Sequence, residues 1–342
     1  MSETEPYKFV RSGQALGLAA MVTTALSRRG RVLGPAAGTV FVLTALFAAP
    51  VAALVAQTST DAATAADELS IGAAIILGLV EGLTEYLPVS STGHLLVTNA
   101  ILGIGQTPET ERALETYSIC IQAGAIVAVF VLYWERIRQM LDGLLGRSDE
   151  GRRVLLAVIA AFIPTAIIGL FIVETVRENL FGVPPVAAAW LVGGIGILAL
   201  TRSGLMDRAG VELGQITVRH AVLIGIAQAI AMWPGTSRSL ITIVAGVAVG
   251  LSLRAAVEFS FLLGLATLSA ATIVTGAQEG NQLIELFGWT APAIGMVVAF
   301  FAALASIKWM VSWLQERSFD VFGYYRIIIG IAAFAALGLG WL

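Results

Sequence analysis

The amino-acid sequence predicts an all-α polytopic membrane protein built on an inverted-topology repeat. Three observations predict this fold class: a composition poor in charge, a series of long apolar runs, and two similar broken segments. Of the 342 residues, 57% are hydrophobic and 13% are charged, whereas soluble domains average about 25% charged residues. The formal net charge is −3 and the sequence has no polybasic block, which excludes nucleic acid as an expected partner. The expected surroundings of the chain are therefore a lipid bilayer.

The apolar runs divide the chain into an extension and a core. Seven runs are long enough to cross a hydrocarbon layer of about 30 Å: residues 34–56, 114–133, 154–173, 184–200, 256–276, 289–313 and 325–342. The first run follows three arginines and is either a signal peptide or an uncleaved anchor, and its length favours the anchor. We therefore expect an N-terminal extension at residues 1–70 and a membrane-embedded domain with six core transmembrane helices at residues 71–342.

The arginine distribution orients these spans, because positively charged residues favour the cytoplasmic side. The arginine-rich connections, which we expect inside, are 134–153, 201–219 and 314–326, the last through Arg317 and Arg326. The 277–288 connection carries carboxylates but no lysine or arginine, and we place it outside together with the short 174–183 loop. Residues 71–105 must then start and end outside, and residues 218–253 must start and end inside. Each is predicted to be a re-entrant helical hairpin.

The two predicted hairpins resemble each other in sequence. LGLVEGLTEYLPVSST starts at Leu77 and IGIAQAIAMWPGTSRS starts at Ile224. A one-residue gap aligns Gly78 with Gly225, Glu81 with Gln228, Pro88 with Pro234, and Ser91 with Ser237. Similar segments that enter from opposite faces are typical of an inverted repeat. Repeat one is predicted at about 71–200 and repeat two at about 218–342.

Each hairpin has a proline at its predicted tip. Pro88 and Pro234 interrupt their helices, because proline lacks an N–H group and clashes with the preceding turn. Hydroxyl residues suited to cap a new helix follow each break: Ser90 and Ser91 in the first hairpin, Thr236 and Ser237 in the second. The new helix N-termini are expected to meet near the midplane, where their unpaired N–H groups and partial positive charge favour an anion.

Two carboxylates precede the first break. Glu81 and Glu85 are four residues apart, so they share a helix face. A charge at bilayer depth costs about 3 kcal/mol, so two like charges are not expected to persist there unpaired. Either one carboxyl group is protonated or a divalent cation, Mg²⁺ or Ca²⁺, bridges the two. Glu81 and Glu85 are therefore the candidate metal ligands.

The remaining candidate groups suit phosphoryl transfer. Arg238 lies at the second tip, and a guanidinium group clamps phosphate through two parallel hydrogen bonds; the alternative is an ion pair with Glu81 or Glu85. His94 follows Ser91 by three residues, so the spacing predicts a base within hydrogen-bond reach of a serine nucleophile. An anion site, an arginine and a serine with a candidate base indicate chemistry on a lipid-borne phosphate.

Three motifs resemble the signatures of the undecaprenyl-diphosphate phosphatase family of the bacitracin-resistance type. They are EGLTEYLPVSSTGH at 81–94, PGTSRS at 234–239 and EFSFLL at 258–263, and the similarity covers about 71–342. The resemblance implies an enzyme with six spans and two re-entrant hairpins. It implies removal of the terminal phosphate of undecaprenyl diphosphate at the outer face of the bacterial plasma membrane, which recycles the carrier lipid for cell-wall synthesis and confers bacitracin resistance.

The resemblance also assigns roles to residues at the motif positions. Active-site residues would be Glu81, Glu85, Ser91, His94 and Arg238, and phosphate contacts would be Ser90, Thr92, Thr236 and Ser237. Two positions depart from the family pattern: Leu240 replaces a usual glycine, and Ala266 replaces a usual proline. They put efficiency and substrate range in question rather than the reaction class. A homodimer is left open.

A transporter is the alternative from another functional class. Inverted repeats with tips at the midplane are typical of secondary transporters, and a lipid flippase coupled to protonation of Glu85 would use the same scaffold. A transporter needs no serine nucleophile beside a base, and this feature favours the phosphatase.

Overall fold

A computed structural model describes residues 69–105 and 107–342 of the chain. Nearly all of this part is α-helical, with short connections. Most of the predicted extension, including the apolar run at 34–56, lies outside the described residues.

The helices of the described part follow one another with short connections. In chain order they are α1 (Ile71–Thr84), α2 (Ser91–Leu102), α3 (Pro108–Leu132), α4 (Trp134–Leu144), α5 (Asp149–Leu180), α6 (Val183–Arg202), α7 (Val218–Gln228), α8 (Arg238–Ala248), α9 (Leu253–Phe287), α10 (Thr290–Glu316) and α11 (Asp320–Gly338). Two 3₁₀ turns, at Leu213–Gln215 and Ala229–Met232, complete the set.

Six helices of the described part are long and apolar enough to cross a membrane: α3, α5, α6, α9, α10 and α11. Each overlaps one of the runs from which a span was predicted, so the all-α polytopic fold is confirmed. The shorter helices α1, α2, α7 and α8 fall where the two hairpins were predicted. That these hairpins re-enter the bilayer from opposite faces stays a prediction.

Several helices begin before the apolar runs that predicted them, and a capping residue sets the start of α5. Helix α5 begins after Ser148, whose hydroxyl accepts a hydrogen bond from the Gly151 N–H at 3.0 Å. Helix α11 begins at Asp320, so Arg326 lies inside it, fully buried. The assignment of Arg326 to the cytoplasmic connection 314–326 was therefore wrong.

The two repeats interlock. Helix α1 of the first repeat packs on α10 of the second, and α7 of the second packs on α5 of the first. The aligned glycines make both contacts possible, since a side chain at Gly78 would collide with the backbone of Gly295, and one at Gly225 with that of Ala161. Helices α3 and α9 pack against each other, as do α6 and α11. This reciprocal pattern agrees with the predicted repeat.

The main apolar core includes residues of the first hairpin tip and residues that follow the second tip. Tyr86, Leu87 and Val89 of the first tip belong to the same buried cluster as Leu240 and Phe261 of the second repeat. The Tyr86 and Phe261 rings meet edge to face, with centroids 5.3 Å apart. Packing on both sides therefore holds the irregular backbone of the tips in place.

Candidate active site

Each hairpin turns through a short irregular segment that ends at a strained serine. Ser90 and Ser237 have φ values of 74° and 77°, and among the described residues they alone have positive φ without being glycine. Each is an N-cap: the Ser90 hydroxyl accepts from the Gly93 N–H at 3.4 Å, and the Ser237 hydroxyl from the Leu240 N–H at 3.3 Å. Non-glycine residues in this conformation are uncommon and concentrate at functional sites.

This shared geometry corrects the sequence alignment of the repeats. The alignment paired Ser91 with Ser237, whereas the structure makes Ser90 the counterpart of Ser237. The cause is the second tip, which has one more residue between its proline and its capping serine. Arg238 therefore occupies in the second repeat the place that Ser91 occupies in the first, at the start of the helix.

The two tips touch each other. The Ser239 hydroxyl of the second tip donates to the carbonyl of Leu87 in the first, at 2.8 Å. The Arg326 guanidinium group donates to the Pro88 carbonyl at 3.3 Å and to the Gly235 carbonyl at 2.9 Å, so it bridges both tips. Groups from both hairpins are thus gathered in one place.

Glu85 forms hydrogen bonds to side chains from both hairpins. Its Oε1 atom accepts from Nη2 of Arg238 at 2.8 Å, and its Oε2 atom accepts from the Ser91 hydroxyl. Arg238 is fixed further by a hydrogen bond from Nη1 to the Ser260 carbonyl at 3.1 Å and by the Tyr86 ring, whose centroid lies 5.1 Å from its guanidinium carbon. The structure therefore joins three predicted site residues from the two repeats.

His94 stands beside this group but has other partners. Its Nδ1 atom lies 2.6 Å from the Ser90 carbonyl and its Nε2 atom 2.8 Å from the Tyr325 hydroxyl. A carbonyl oxygen only accepts, so Nδ1 carries the proton in the neutral ring and Nε2 accepts from Tyr325. The spacing predicted that His94 would pair with the Ser91 hydroxyl, whereas the structure directs that hydroxyl to Glu85.

Glu81 is buried one helical turn before Glu85. It lies within hydrogen-bond reach of Gln122 and Glu85, and its Oε1 atom has no hydrogen-bond partner. An unpaired buried carboxylate oxygen beside a second carboxylate fits a hard cation. In the part of the chain that the structure describes, no three His, Cys, Asp or Glu side chains form a metal-binding group. A cation held by Glu81 and Glu85 would therefore need water or phosphate oxygens as its other ligands.

The predicted phosphate contacts differ in their surroundings. Ser90 and Ser237 are buried and act as helix caps, whereas Thr92 is exposed and Thr236 is partly buried. The first turns of α2 and α8 provide backbone N–H groups without intrahelical partners, which is where an anion binds a helix. Of the two departures from the family pattern, Leu240 is buried in the main apolar core, and Ala266 is partly buried and packs against that core.

Sequence reasoning missed three residues that support the site. Trp190 donates from Nε1 to the Val89 carbonyl at 2.9 Å, Tyr325 holds His94, and Arg326 bridges the tips. Arg326 had a detectable signal, because it is the only charged residue between 321 and 342, and a charge inside an apolar helix indicates a functional role. Trp190 and Tyr325 lie in ordinary apolar runs, and nothing in their spacing marks them.

Comparisons with known proteins agree with the motifs. The family model described as bacitracin resistance protein BacA matches residues 74–332, a range that includes both tips. An undecaprenyl-diphosphatase of Sorangium cellulosum is 41% identical over 261 residues, which cover 75% of this chain and 83% of that protein.

Two further relatives match over nearly their full length. An undecaprenyl-diphosphatase of Albidiferax ferrireducens is 38% identical over 78% of this chain and 95% of its own length. Undecaprenyl-diphosphatase 1 of Acinetobacter baylyi is 35% identical over 80% of this chain and 98% of its own length. The chain therefore belongs to the BacA family of bacitracin resistance proteins.

Proposed function

We propose that this chain is an undecaprenyl-diphosphate phosphatase, an integral membrane enzyme that releases the terminal phosphate of undecaprenyl diphosphate. The products would be undecaprenyl phosphate, which returns to cell-wall synthesis, and inorganic phosphate. One observation carries the proposal: Ser91 of one repeat and Arg238 of the other bind the two oxygens of the same carboxylate, Glu85. A nucleophile, a base and a phosphate clamp are thereby assembled at two helix N-termini, and the names of the relatives support the same activity.

The geometry supports Ser91 as nucleophile and Glu85 as its base. The Ser91 oxygen would attack the terminal phosphorus while its proton passes to Glu85. The bond between that phosphorus and the bridging oxygen would break, and undecaprenyl phosphate would leave. Water would then hydrolyse the phosphoserine and release inorganic phosphate. Arg238 and the helix N–H groups would bind the charge on the equatorial oxygens.

His94 is proposed to serve the hydrolytic step. With Nδ1–H donated to the Ser90 carbonyl, its Nε2 atom is the basic position, and it faces Tyr325. The alternative, in which His94 activates water directly without a serine intermediate, uses the same nitrogen. The two routes differ in whether phosphate ever becomes attached to Ser91.

The alternative use of the two carboxylates is that Glu81 and Glu85 hold a divalent cation, Mg²⁺ or Ca²⁺, in which case Glu85 would not be the base. The unpaired Oε1 atom of Glu81 supports this site. A bound cation would neutralise charge on the diphosphate, as magnesium does when it links a carboxylate to a phosphate.

The active site is proposed to open to the outer side of the bacterial plasma membrane. Arginine-rich connections such as 134–153 belong on the cytoplasmic side, and the first hairpin then enters from outside. A homodimer stays an open alternative to a monomer. A flippase or proton-coupled transporter on this scaffold is less favoured, because transport does not require the hydrogen bond between Ser91 and Glu85.

Removal of the Arg238 guanidinium group is expected to lower phosphate release by about 10²–10³-fold, the usual cost of losing one donor to transition-state charge. The measurement is phosphate released from undecaprenyl diphosphate by purified Arg238→Ala protein. Arg152→Ala is the matched control, because Arg152 forms an exposed ion pair with Asp149 at 3.3 Å, and it should keep full activity. Wild-type rates in Arg238→Ala would remove the clamp from the mechanism.

A covalent route predicts that label from the terminal phosphate becomes attached to Ser91. Wild-type protein quenched in acid during turnover should carry labelled phosphoserine at this position, and Ser91→Ala should carry none and release no phosphate above background. Ser203→Ala, at an exposed site past the end of α6, should behave as wild type. An active Ser91→Ala enzyme would favour direct attack by water.

Chelation is expected to remove the activity if Glu81 and Glu85 hold a cation. EDTA should abolish phosphate release, and added Mg²⁺ or Ca²⁺ should restore it. In the Glu81→Gln protein, the metal concentration that gives the half-maximal rate should be at least about tenfold higher than in wild type, because changes at a metal site commonly weaken metal affinity by this factor. Glu135→Gln, an exposed change, should need no more metal than wild type. Full activity in EDTA would exclude the cation.

The orientation can be measured by labelling intact cells with a membrane-impermeant maleimide. Cys120 is the only cysteine of the chain, so Cys120→Ser gives a background for single cysteines. Glu285→Cys should react from outside, whereas Arg147→Cys should react only after the membrane is opened; both positions are exposed. The reverse labelling pattern would contradict the proposed orientation and would place the active site on the cytoplasmic side.

A further inference from the structure

We propose that Arg326 is a positioning residue that fixes the two hairpin tips against each other and so sets the geometry of the phosphate site. This inference rests on the proposed function, because the site that Arg326 positions is the one assigned there to undecaprenyl diphosphate. The inference also makes a structural prediction that does not depend on the substrate. When the Arg326 guanidinium group is displaced, the starts of α2 and α8 should no longer keep one fixed separation.

The partners of Arg326 motivate the proposal. Its side chain is fully buried. Within the described ranges its hydrogen bonds go to three backbone carbonyls, on Pro88 at 3.3 Å and on Ala189 and Gly235 at 2.9 Å each. These carbonyls belong to the first tip, to α6 and to the second tip. One planar group therefore ties three separate stretches of chain together.

Arg326 contacts the two hairpin tips at equivalent positions. Pro88 lies two residues before the capping Ser90, and Gly235 lies two residues before the capping Ser237. The guanidinium group thus holds each tip at the equivalent point, just before the strained serine that starts the next helix. A group bound to equivalent points of both tips controls their separation directly.

A glycine of α6, Gly193, lies against the guanidinium group of Arg326 and leaves no space there for a side chain. A methyl group on Gly193 of α6 would collide with the guanidinium of Arg326, whose carbon would lie 2.8 Å away. A methyl group on Gly196, one turn further along the same helix, would meet nothing within 4 Å. The chain therefore provides a change that displaces the Arg326 head group without removing its charge, and a matched change that does not.

The hydrogen bonds of Arg326 have two consequences. They satisfy carbonyl groups that would otherwise be buried without donors, which offsets the cost of burying a guanidinium group, and they fix where those carbonyls lie. What an apolar side chain cannot do is donate to three carbonyls at defined angles. Since a displacement of about 1 Å in reacting groups can cost about 10²-fold in rate, the expected benefit lies in the alignment of Ser91 with Arg238.

The first test measures tip geometry without enzyme activity. Spin labels on Ala100→Cys and Ala248→Cys, exposed positions near the ends of α2 and α8, report the distance between these helices in a Cys120→Ser background. Gly193→Ala and Arg326→Met should broaden or shift the distance distribution measured by pulsed EPR, and Gly196→Ala should match wild type. An unchanged distribution in both altered proteins would overturn the inference.

The second test separates positioning from substrate binding. Gly193→Ala should lower kcat for phosphate release by about tenfold or more while KM changes by less than about threefold, because Arg326 is fully buried and its proposed role is to position the site rather than to bind substrate. Arg326→Lys should retain more activity than Arg326→Met, since an ammonium group still donates to some of the carbonyls. Equal kcat in Gly193→Ala and wild type would overturn the inference.

The two tests distinguish failure of this inference from failure of the proposed function. If the distance distributions respond as expected but wild-type protein releases no phosphate, the proposed function fails and the structural role of Arg326 stands. If wild type is active and either the distances or kcat fail to respond, Arg326 has no positioning role. Should Arg326→Met fail to fold, Gly193→Ala still decides, because it keeps the arginine.

Discussion

The structure depends on one constraint: carbonyl groups of irregular backbone in an apolar interior must find hydrogen-bond donors. The first tip presents three such carbonyls in a row, on Leu87, Pro88 and Val89. Their donors are side chains distant in the sequence, namely Ser239, Arg326 and Trp190. Two of these donors, Ser239 and Arg326, belong to the second repeat, so the break that Pro88 introduces and the candidate site beside it depend on both repeats.

The repeats contribute different chemistry to the same geometry. Once Ser90 is matched with Ser237, the helix-starting residue is Ser91 in one repeat and Arg238 in the other. In the proposed reaction, the first repeat supplies the nucleophile and the carboxylates, and the second supplies a cationic side chain at the position equivalent to the nucleophile. Two similar hairpins would then form the reacting half and the binding half of one site for an anionic substrate.

The spans and the hairpins were predictable because both leave local signals. Runs of apolar residues mark helices that face lipid, and Pro88 and Pro234 mark breaks wherever the rest of the chain lies. Arg238 was predictable as a partner of a carboxylate or a phosphate, because a guanidinium group at bilayer depth needs an anion. Glu85, Ser91 and Arg238 could therefore be named from the sequence, and the structure brings them together, while their catalytic roles stay a prediction.

The contacts among these residues could not be predicted, because they depend on long-range packing. Spacing places His94 one turn beyond Ser90 and Ser91 but cannot say that Tyr325, more than two hundred residues away, takes its Nε2 atom. Arg326 was assigned to the connection 314–326 because arginines were used to orient the spans, although it also lies at the start of the apolar run 325–342. In the structure, backbone carbonyls from three stretches of chain make its burial tolerable.

The pairing of Ser91 with Glu85 links proton transfer to charge binding in the proposed reaction. While Glu85 is ionised, it holds Arg238 at 2.8 Å and accepts from the Ser91 hydroxyl. When Glu85 takes the serine proton it becomes neutral, and its attraction for Arg238 falls sharply in a low-dielectric site. The guanidinium group is then available to the phosphate oxygens as attack begins. A base at Glu85 would therefore explain why the two repeats meet at this carboxylate.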